Sequence, residues 1–176
     1  VQADVADEAL RLWYSLREAD DGCTLAADRL YFTKQFSALD IWRKARLMAE
    51  HNRPRTARNA VQIVSPADAS HVNDILAKPL PFLNKQIAAP SKAKQELVVL
   101  ALVKLATTDT DKAVGLLRDK WRPYLTAEER HWVWGVIGKQ AAQRLSNDAM
   151  TYFGNVTKDA DLNDDLLGWK VRAALR

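Results

Sequence analysis

Apolar positions along this chain recur with the spacing of helices. Between Leu39 and Ala49 they follow the 3.6-residue period of one helix face, and comparable segments recur along the whole sequence with capping residues and breakers between them. No alternating run of Val, Ile and Thr bounded by turn residues indicates a strand. The pattern therefore predicts an all-α protein.

Capping residues and breakers locate the individual helices. Ser65, Pro66 and Asp68 form a strong start signal, and the helix they open is predicted to run to Leu76. The first helix is predicted to end near Ala19, and the helix after Asp109 to continue up to Pro123. The other predicted starts are Asp4, Thr24, Ser37, Asn52, Ser91, Asp109 or Thr110, Thr126, Asp148, and Leu162 or Asn163.

Short helices joined by short loops are typical of stacked helical hairpins. We therefore predict a single domain over residues 1–176, folded as a right-handed superhelix of stacked antiparallel helical hairpins, similar to an α-solenoid. The hairpins share no residue signature at a fixed period, so the array is degenerate.

Composition adds limits to this picture. Hydrophobic residues make up 48% of the chain and charged residues 27%, which favours a folded core over disorder. The longest apolar run, from Leu97 to Val103, is far shorter than the roughly 20 residues of a membrane-spanning helix. The single cysteine, Cys23, excludes an internal disulfide and a cysteine cluster for zinc. The chain begins without a start methionine or signal peptide, so we expect it to be a segment of a longer protein.

The segment from Thr126 to Ala142 has the composition of an active site, with two glutamates, His131 and two tryptophans close together. However, a threonine followed three residues later by Glu129, just before an apolar run, is a capping box. Glu128 is favourable near the positive end of a helix. We therefore expect both glutamates to start a helix and His131 to be a packing residue.

The same helix carries an apolar face with Trp132 on it, and Gly135 and Gly138 are predicted to let another helix approach closely. Trp134 points away from that face. It could pack on the next hairpin or stack on a sugar, so it stays a candidate ligand residue.

Two charged segments also suggest binding. Between Arg43 and Arg58 six basic residues stand against one glutamate, which is typical either of a solvated helix face or of a patch for a polyanion. From Asp159 to Asp165 the acidic spacing is similar to a calcium loop, but the glycine and glutamate that such a loop requires are missing. Asp161 or Asn163 is better explained as a helix cap, and we predict no cofactor and no metal.

The order of several segments resembles the superhelical, U-shaped domain of the soluble lytic murein transglycosylases of Gram-negative bacteria. The segments that carry the resemblance are Cys23–Leu30, Ile41–Asn52, Ser65–Asp68, Asp111–Leu117, Thr126–Trp134 and Leu167–Leu175. The resemblance extends over nearly the whole chain. The family's fold agrees with the helical pattern derived above.

The resemblance implies a function without implying catalysis. Enzymes of that family cleave the β-1,4 bond between N-acetylmuramic acid and N-acetylglucosamine in peptidoglycan, giving 1,6-anhydro products, and they do so from a separate lysozyme-like domain. Its catalytic glutamate lies in a Glu-Ser motif, and no glutamate of this chain is followed by serine. The chain is therefore expected to be a non-catalytic scaffold, with no catalytic residue of its own.

By the same resemblance we expect a periplasmic protein whose partners are glycan strands, the catalytic domain absent from this chain, and other cell-wall proteins. Cys23 could then pair with a cysteine upstream of this segment. The carboxylates of the peptide stems could be attracted by a basic inner face. The residues expected to face glycan or peptide are Arg43, Arg46, Arg55, Arg58 and Trp134.

Two other functions fit the sequence. One is a free-standing helical-repeat module that binds other proteins through a concave surface. The other is a carbohydrate-active enzyme that uses Glu128 with a second carboxylate, which requires the two carboxyl groups to lie roughly 5 to 9.5 Å apart.

Overall fold

The computed structural model describes the backbone of residues 2–176 and the side chains from residue 5 onward. Within these residues there are twelve α-helices and no β-strand, which confirms the all-α prediction. The side chain of Asp4, the predicted start of the first helix, lies outside the described residues. The helices are α1 (Gln2–Ser15), α2 (Asp21–Phe32), α3 (Ala38–Glu50), α4 (Pro54–Val64), α5 (Pro66–Ala69), α6 (Val72–Ala77), α7 (Pro79–Leu83), α8 (Lys92–Thr108), α9 (Thr110–Leu116), α10 (Ala127–Gln143), α11 (Ala149–Phe153) and α12 (Asp164–Ala174).

Side-chain caps start the long helices where the sequence predicts them. Ser37 and Thr126 each form a complete capping box, with Asp40 and Glu129 as the returning acids. The side chains of Ser91, Asp109 and Asn163 likewise accept a hydrogen bond from a backbone N–H three residues later, which starts α8, α9 and α12.

Several predicted boundaries are wrong. α1 ends at Ser15, and α2 begins before Thr24 because Asp20 accepts the backbone N–H of Cys23. The helix predicted from Ser65 to Leu76 is split into α5 and α6 by a turn at residues 70–71.

The helix predicted to continue up to Pro123 is α-helical only as far as Leu116. It then widens into a π-type turn over Leu117–Trp121. The wider turn accompanies two hydrogen bonds to the carbonyl of Leu83, which the Nζ of Lys120 and the Nε1 of Trp121 donate at 2.7 and 3.2 Å.

The described helices group into two compact units, Val1–Lys78 and Pro79–Arg176. The organisation as one domain therefore stays a prediction. In the first unit α3 packs on α4, while α1 packs on α3 and α2 on α4. The centre of this unit is fully buried and apolar, and it includes Ile41, Ala45, Met48, Ala57 and Val61.

A buried lysine attaches α1 to α3 in the first unit. Lys44 on α3 is fully buried, and its Nζ donates hydrogen bonds to the carbonyls of Trp13 and Leu16 at the end of α1. The ammonium also lies 5.4 Å from the centroid of the Trp13 ring. Burial lowers the pKa of Lys44 from 10.5 to about 8.

The second unit is organised around α10, which packs on α8, α11 and α12. The apolar run Leu97–Val103 of α8 is fully buried on every face, as its sequence predicts. Gly135 and Gly138 allow the close approaches: a Cβ added to Gly135 would lie 2.7 Å from a methyl group of Leu162, and one added to Gly138 would lie 2.8 Å from the ring of Phe153. The predicted role of these glycines is confirmed.

We expect Gly138→Ala to lower the free energy of unfolding by about 1–3 kcal/mol, because the buried Phe153 ring has to move to admit the methyl group. The matched control is Gly115→Ala in α9, where nothing lies within 4 Å of the added Cβ. The control should be neutral or stabilising by up to about 1 kcal/mol through helix propensity. Urea unfolding of the three proteins measures both effects, and equal stability of the two variants would contradict the close contact at Gly138.

The lowered pKa of Lys44 predicts a pH dependence of stability. Between about pH 8 and 10.5 the unfolded chain holds a proton on this lysine that the folded chain lacks, so raising the pH through that window favours the folded state. The gain is at most about 3 kcal/mol. Urea unfolding from pH 7 to 10 should therefore show a slope that Lys44→Met removes.

The chains with Lys44 and with Lys44→Met are best compared in a Cys23→Ser background. A hydrogen bond to Asp20 raises the pKa of the Cys23 thiol, which gives an opposing slope at high pH. If the slope were the same with and without the Lys44 amine, the assignment to Lys44 would be wrong.

Candidate functional site

The four predicted arginines do not form one exposed face. Arg46 is fully buried and Arg43 half-buried, whereas Arg55 and Arg58 on α4 are exposed. The reason lies in the helical spacing of α3, which places Arg46 one turn from Trp42 and one turn from Glu50, both of them buried as well. Arg46 therefore belongs to the interior of the first unit, and only Arg55 and Arg58 offer their guanidinium groups to solvent.

Arg43 and Arg46 lie near a half-buried tyrosine. The hydroxyl of Tyr14 donates a hydrogen bond to the carbonyl of Asp40 at 2.9 Å. Burial raises the pKa of Tyr14, and the positive charges of the two arginines act in the opposite direction.

An open groove runs between α2 and α4 in the first unit, which we call the α2–α4 groove. It consists of two adjoining cavities of about 630 and 420 Å³, which share Asp28 and Ile63 as lining residues. The larger cavity contains the aromatic side chains of Tyr31 and Phe32. The smaller is lined by polar residues that include Asn59 and Gln62.

One end of the groove is aromatic. The Phe32 side chain is 83% exposed although it is wholly apolar. Beside it, the Nζ of Lys34 lies 5.7 Å from the centroid of the Tyr31 ring. The position of this lysine follows from the end of α2, where Lys34 adopts a positive φ of 64°.

The two exposed arginines lie beside this groove along α4. Arg55 and Arg58 each precede a groove-lining residue by one helical turn, Asn59 and Gln62 respectively. The structure therefore brings the exposed part of the predicted basic segment next to a polar and aromatic cavity. Sequence reasoning missed the cavity because its two walls come from helices about 30 residues apart, and no local pattern links them.

Trp134 belongs to the second unit and is largely buried, at 9% exposure. Its ring stacks on that of Tyr152, with centroids 6.1 Å apart and an interplanar angle of 20°. One face of the indole is thus covered by the protein itself. The sequence allows Trp134 either to pack on a neighbouring hairpin or to stack on a sugar. The contact with Tyr152 on α11 is a packing contact.

The glutamates of the same helix begin it, as predicted. Thr126 and Glu129 exchange hydrogen bonds of 3.2 Å in each direction, and Glu128 lies half-buried in the first turn. Glu129 is fully buried, and so is Glu96 on α8. Lys92 bridges the two carboxylates, with its Nζ 2.9 Å from Glu96 and 3.4 Å from Glu129.

His131 makes contacts that the sequence does not predict. Its Nδ1 lies 2.7 Å from Oδ2 of Asp161, and its Nε2 lies 3.1 Å from the hydroxyl of Thr157. Both His131 and Asp161 are buried, so the pair ties α10 to the segment before α12. This agrees with the expected packing role, while the helix cap falls to Asn163.

Cys23 is half-buried and is a free thiol within the residues described. The hydrogen bond that the thiol donates to Asp20, together with partial burial, raises the pKa of the thiol, which disfavours the reactive thiolate. Among the described residues, no helix is both long and apolar enough to cross a membrane.

The comparisons with known proteins give a fold relationship. No protein-family description matches the sequence, and no curated protein matches it. Among solved structures, an inactive mutant of the lytic transglycosylase Slt from Pseudomonas aeruginosa is similar, with a TM-score of 0.62 and 20% sequence identity. The similarity covers 99% of this chain but only 29% of the length of that chain. The chain thus has the fold of a helical part of a lytic transglycosylase.

We expect Asp161→Asn to lower the free energy of unfolding by about 1–3 kcal/mol, because a buried, charge-assisted partner of His131 is lost. The control is Asp164→Asn, an exposed acid in the first turn of α12, which should cost less than about 1 kcal/mol. Guanidinium unfolding near pH 7 compares them. A smaller effect at position 161 than at position 164 would show that the pair adds little to stability.

Proposed function

We propose that this chain is a non-catalytic helical scaffold of a lytic transglycosylase that acts on peptidoglycan in the periplasm. The observation that supports this most directly is the fold similarity, which extends over 99% of this chain and over less than a third of the transglycosylase. A segment that matches one part of a larger enzyme is expected to serve the rest of that enzyme. Its partners are then glycan strands, the catalytic domain of the same protein, and other cell-wall proteins.

Two of the glutamates are too deeply buried to act on a substrate, which supports the non-catalytic part of the proposal. Cleavage of a glycosidic bond requires a carboxyl group that can reach the leaving oxygen. Glu96 and Glu129 are fully buried, and Lys92 lies between them. Their contacts give these two acids a role in joining α8 to α10.

Arg55 and Arg58 support an association with peptide stems. Both guanidinium groups are exposed on α4, and the stems of peptidoglycan carry carboxylates. Attraction between exposed charges acts over about 10 Å at 0.1 M salt and weakens as salt rises. We propose that these two arginines hold glycan strands near the scaffold, and that Arg43 and Arg46 maintain the helix packing beneath them.

The test is co-sedimentation of the purified chain with isolated peptidoglycan sacculi. At low salt we expect the chain to sediment with sacculi, and the double variant Arg55→Glu/Arg58→Glu to bind at least about threefold less, because two attractions become repulsions. Raising the salt should release the wild-type chain. The supernatant should contain no 1,6-anhydro product.

The matched control is the double variant Arg122→Glu/Lys158→Glu, which reverses two exposed charges in the second unit. It should bind sacculi like the wild type. Equal losses from both changes would indicate a general effect of net charge and remove the role of Arg55 and Arg58. Release of anhydro product by the chain alone would overturn the non-catalytic scaffold.

A further inference from the structure

The charges that line the α2–α4 groove are balanced. Asp21 and Asp28 contribute negative charge, and Arg29 and Lys34 contribute positive charge. A groove that selects a polyanion or a polycation would carry an excess of one sign. This balance favours an uncharged, polar ligand in the groove itself, with Arg55 and Arg58 available for charged groups beside it.

The polar side chains of the groove suit such a ligand. Asn59 and Gln62 each offer an amide with both donors and an acceptor. Neither side-chain amide is hydrogen-bonded to another of the described residues, so both remain open to a ligand. Hydroxyl and acetamido groups are their natural partners, since these groups also donate and accept.

The aromatic end supplies an apolar surface. Phe32 is 83% exposed, beside the ring of Tyr31 and next to polar residues of both charges. Binding sites for small polar ligands combine an aromatic surface with a few polar groups that fix orientation. A pyranose ring matches this combination, because its C–H face is apolar and its edge carries hydroxyl groups.

The groove is also long. Its lining runs from Asp21 along α2 and on to Lys34, just after the helix ends. The twelve residues of α2 alone span roughly 18 Å. That length accommodates several sugar rings in a row, which fits a chain better than a single sugar.

We propose that the α2–α4 groove binds the glycan chain of peptidoglycan, through stacking of an N-acetylated pyranose on Phe32 and hydrogen bonds from Asn59 and Gln62. This inference rests on the proposed function and adds to it the part of the polymer that is bound. The glycan itself lies in the groove, while the peptide stems meet Arg55 and Arg58.

The test uses two probes without peptide stems: the linear hexamer of N-acetylglucosamine, and glycan strands freed of their stems by an amidase. Binding to the chain is measured by calorimetry and by NMR titration. We expect Phe32→Ala to weaken binding by roughly tenfold, because the buried apolar contact of one aromatic ring is lost, and Gln62→Ala to weaken it to a smaller extent. Phe32→Trp should retain binding, because the aromatic surface is kept.

Two controls separate this effect from others. Leu145→Ala shortens another exposed apolar side chain, in the second unit, and should bind like the wild type. Arg55→Glu/Arg58→Glu should keep its affinity for the uncharged hexamer, although its binding to sacculi is weakened. NMR spectra establish that each variant is folded.

The outcomes distinguish a failure of the groove inference from a failure of the proposed function. If the chain sediments with sacculi but binds neither probe, or binds them equally with and without the Phe32 ring, the groove inference is overturned and the scaffold role stands. A groove that instead serves a protein partner would give this result. If the chain binds neither sacculi nor either probe, the proposed function fails and the groove inference fails with it.

Discussion

Pairing the backbone groups at helix ends is the constraint on which both units depend. Each α-helix leaves several N–H groups unbonded at its start and several carbonyls at its end, and a chain of short helices has many such ends. Side-chain caps satisfy several of the starts, and two lysines satisfy helix ends. Lys44 donates to the carbonyls at the end of α1, and Lys120 donates to that of Leu83 at the end of α7. The basic residues of this protein are thus partly structural.

This division of the basic residues shapes the candidate site. α3 buries three of its charged residues, Lys44, Arg46 and Glu50. α4 packs on α3 and buries Ala57, Ala60 and Val61, while its own arginines are exposed. The outer side of α4 then borders the groove with α2. A binding surface on a helix is positioned more precisely than one on a loop. The groove and the arginines beside it owe their placement to the buried contacts below them.

The sequence predicts helix starts far better than helix ends. Starts are marked by residues whose side chains form the cap, such as Ser37 and Thr126. Helices often end at a glycine in the left-handed conformation, but here that conformation is taken by Lys34, Asn52 and Leu145, with φ values of 64°, 57° and 59°. Without glycine there is no local sign of the end.

The candidate site was predictable only in part, for a related reason. Charge alone assigns all arginines to the surface, whereas the spacing of Arg46 from buried Trp42 places it inside. The groove depends on contacts between α2 and α4, and the pair of His131 and Asp161 on contacts across 30 residues. Such long-range contacts leave no mark in a single sequence.

The attachment of α1 by Lys44 makes one amine a reporter of local opening. While α1 is in place, this amine is enclosed by the protein and closed to reagents that acylate lysines. Reaction at this amine requires α1 to move away, because the carbonyls at the end of α1 accept its hydrogen bonds. Acylation of Lys44 therefore measures how often the chain releases its first helix.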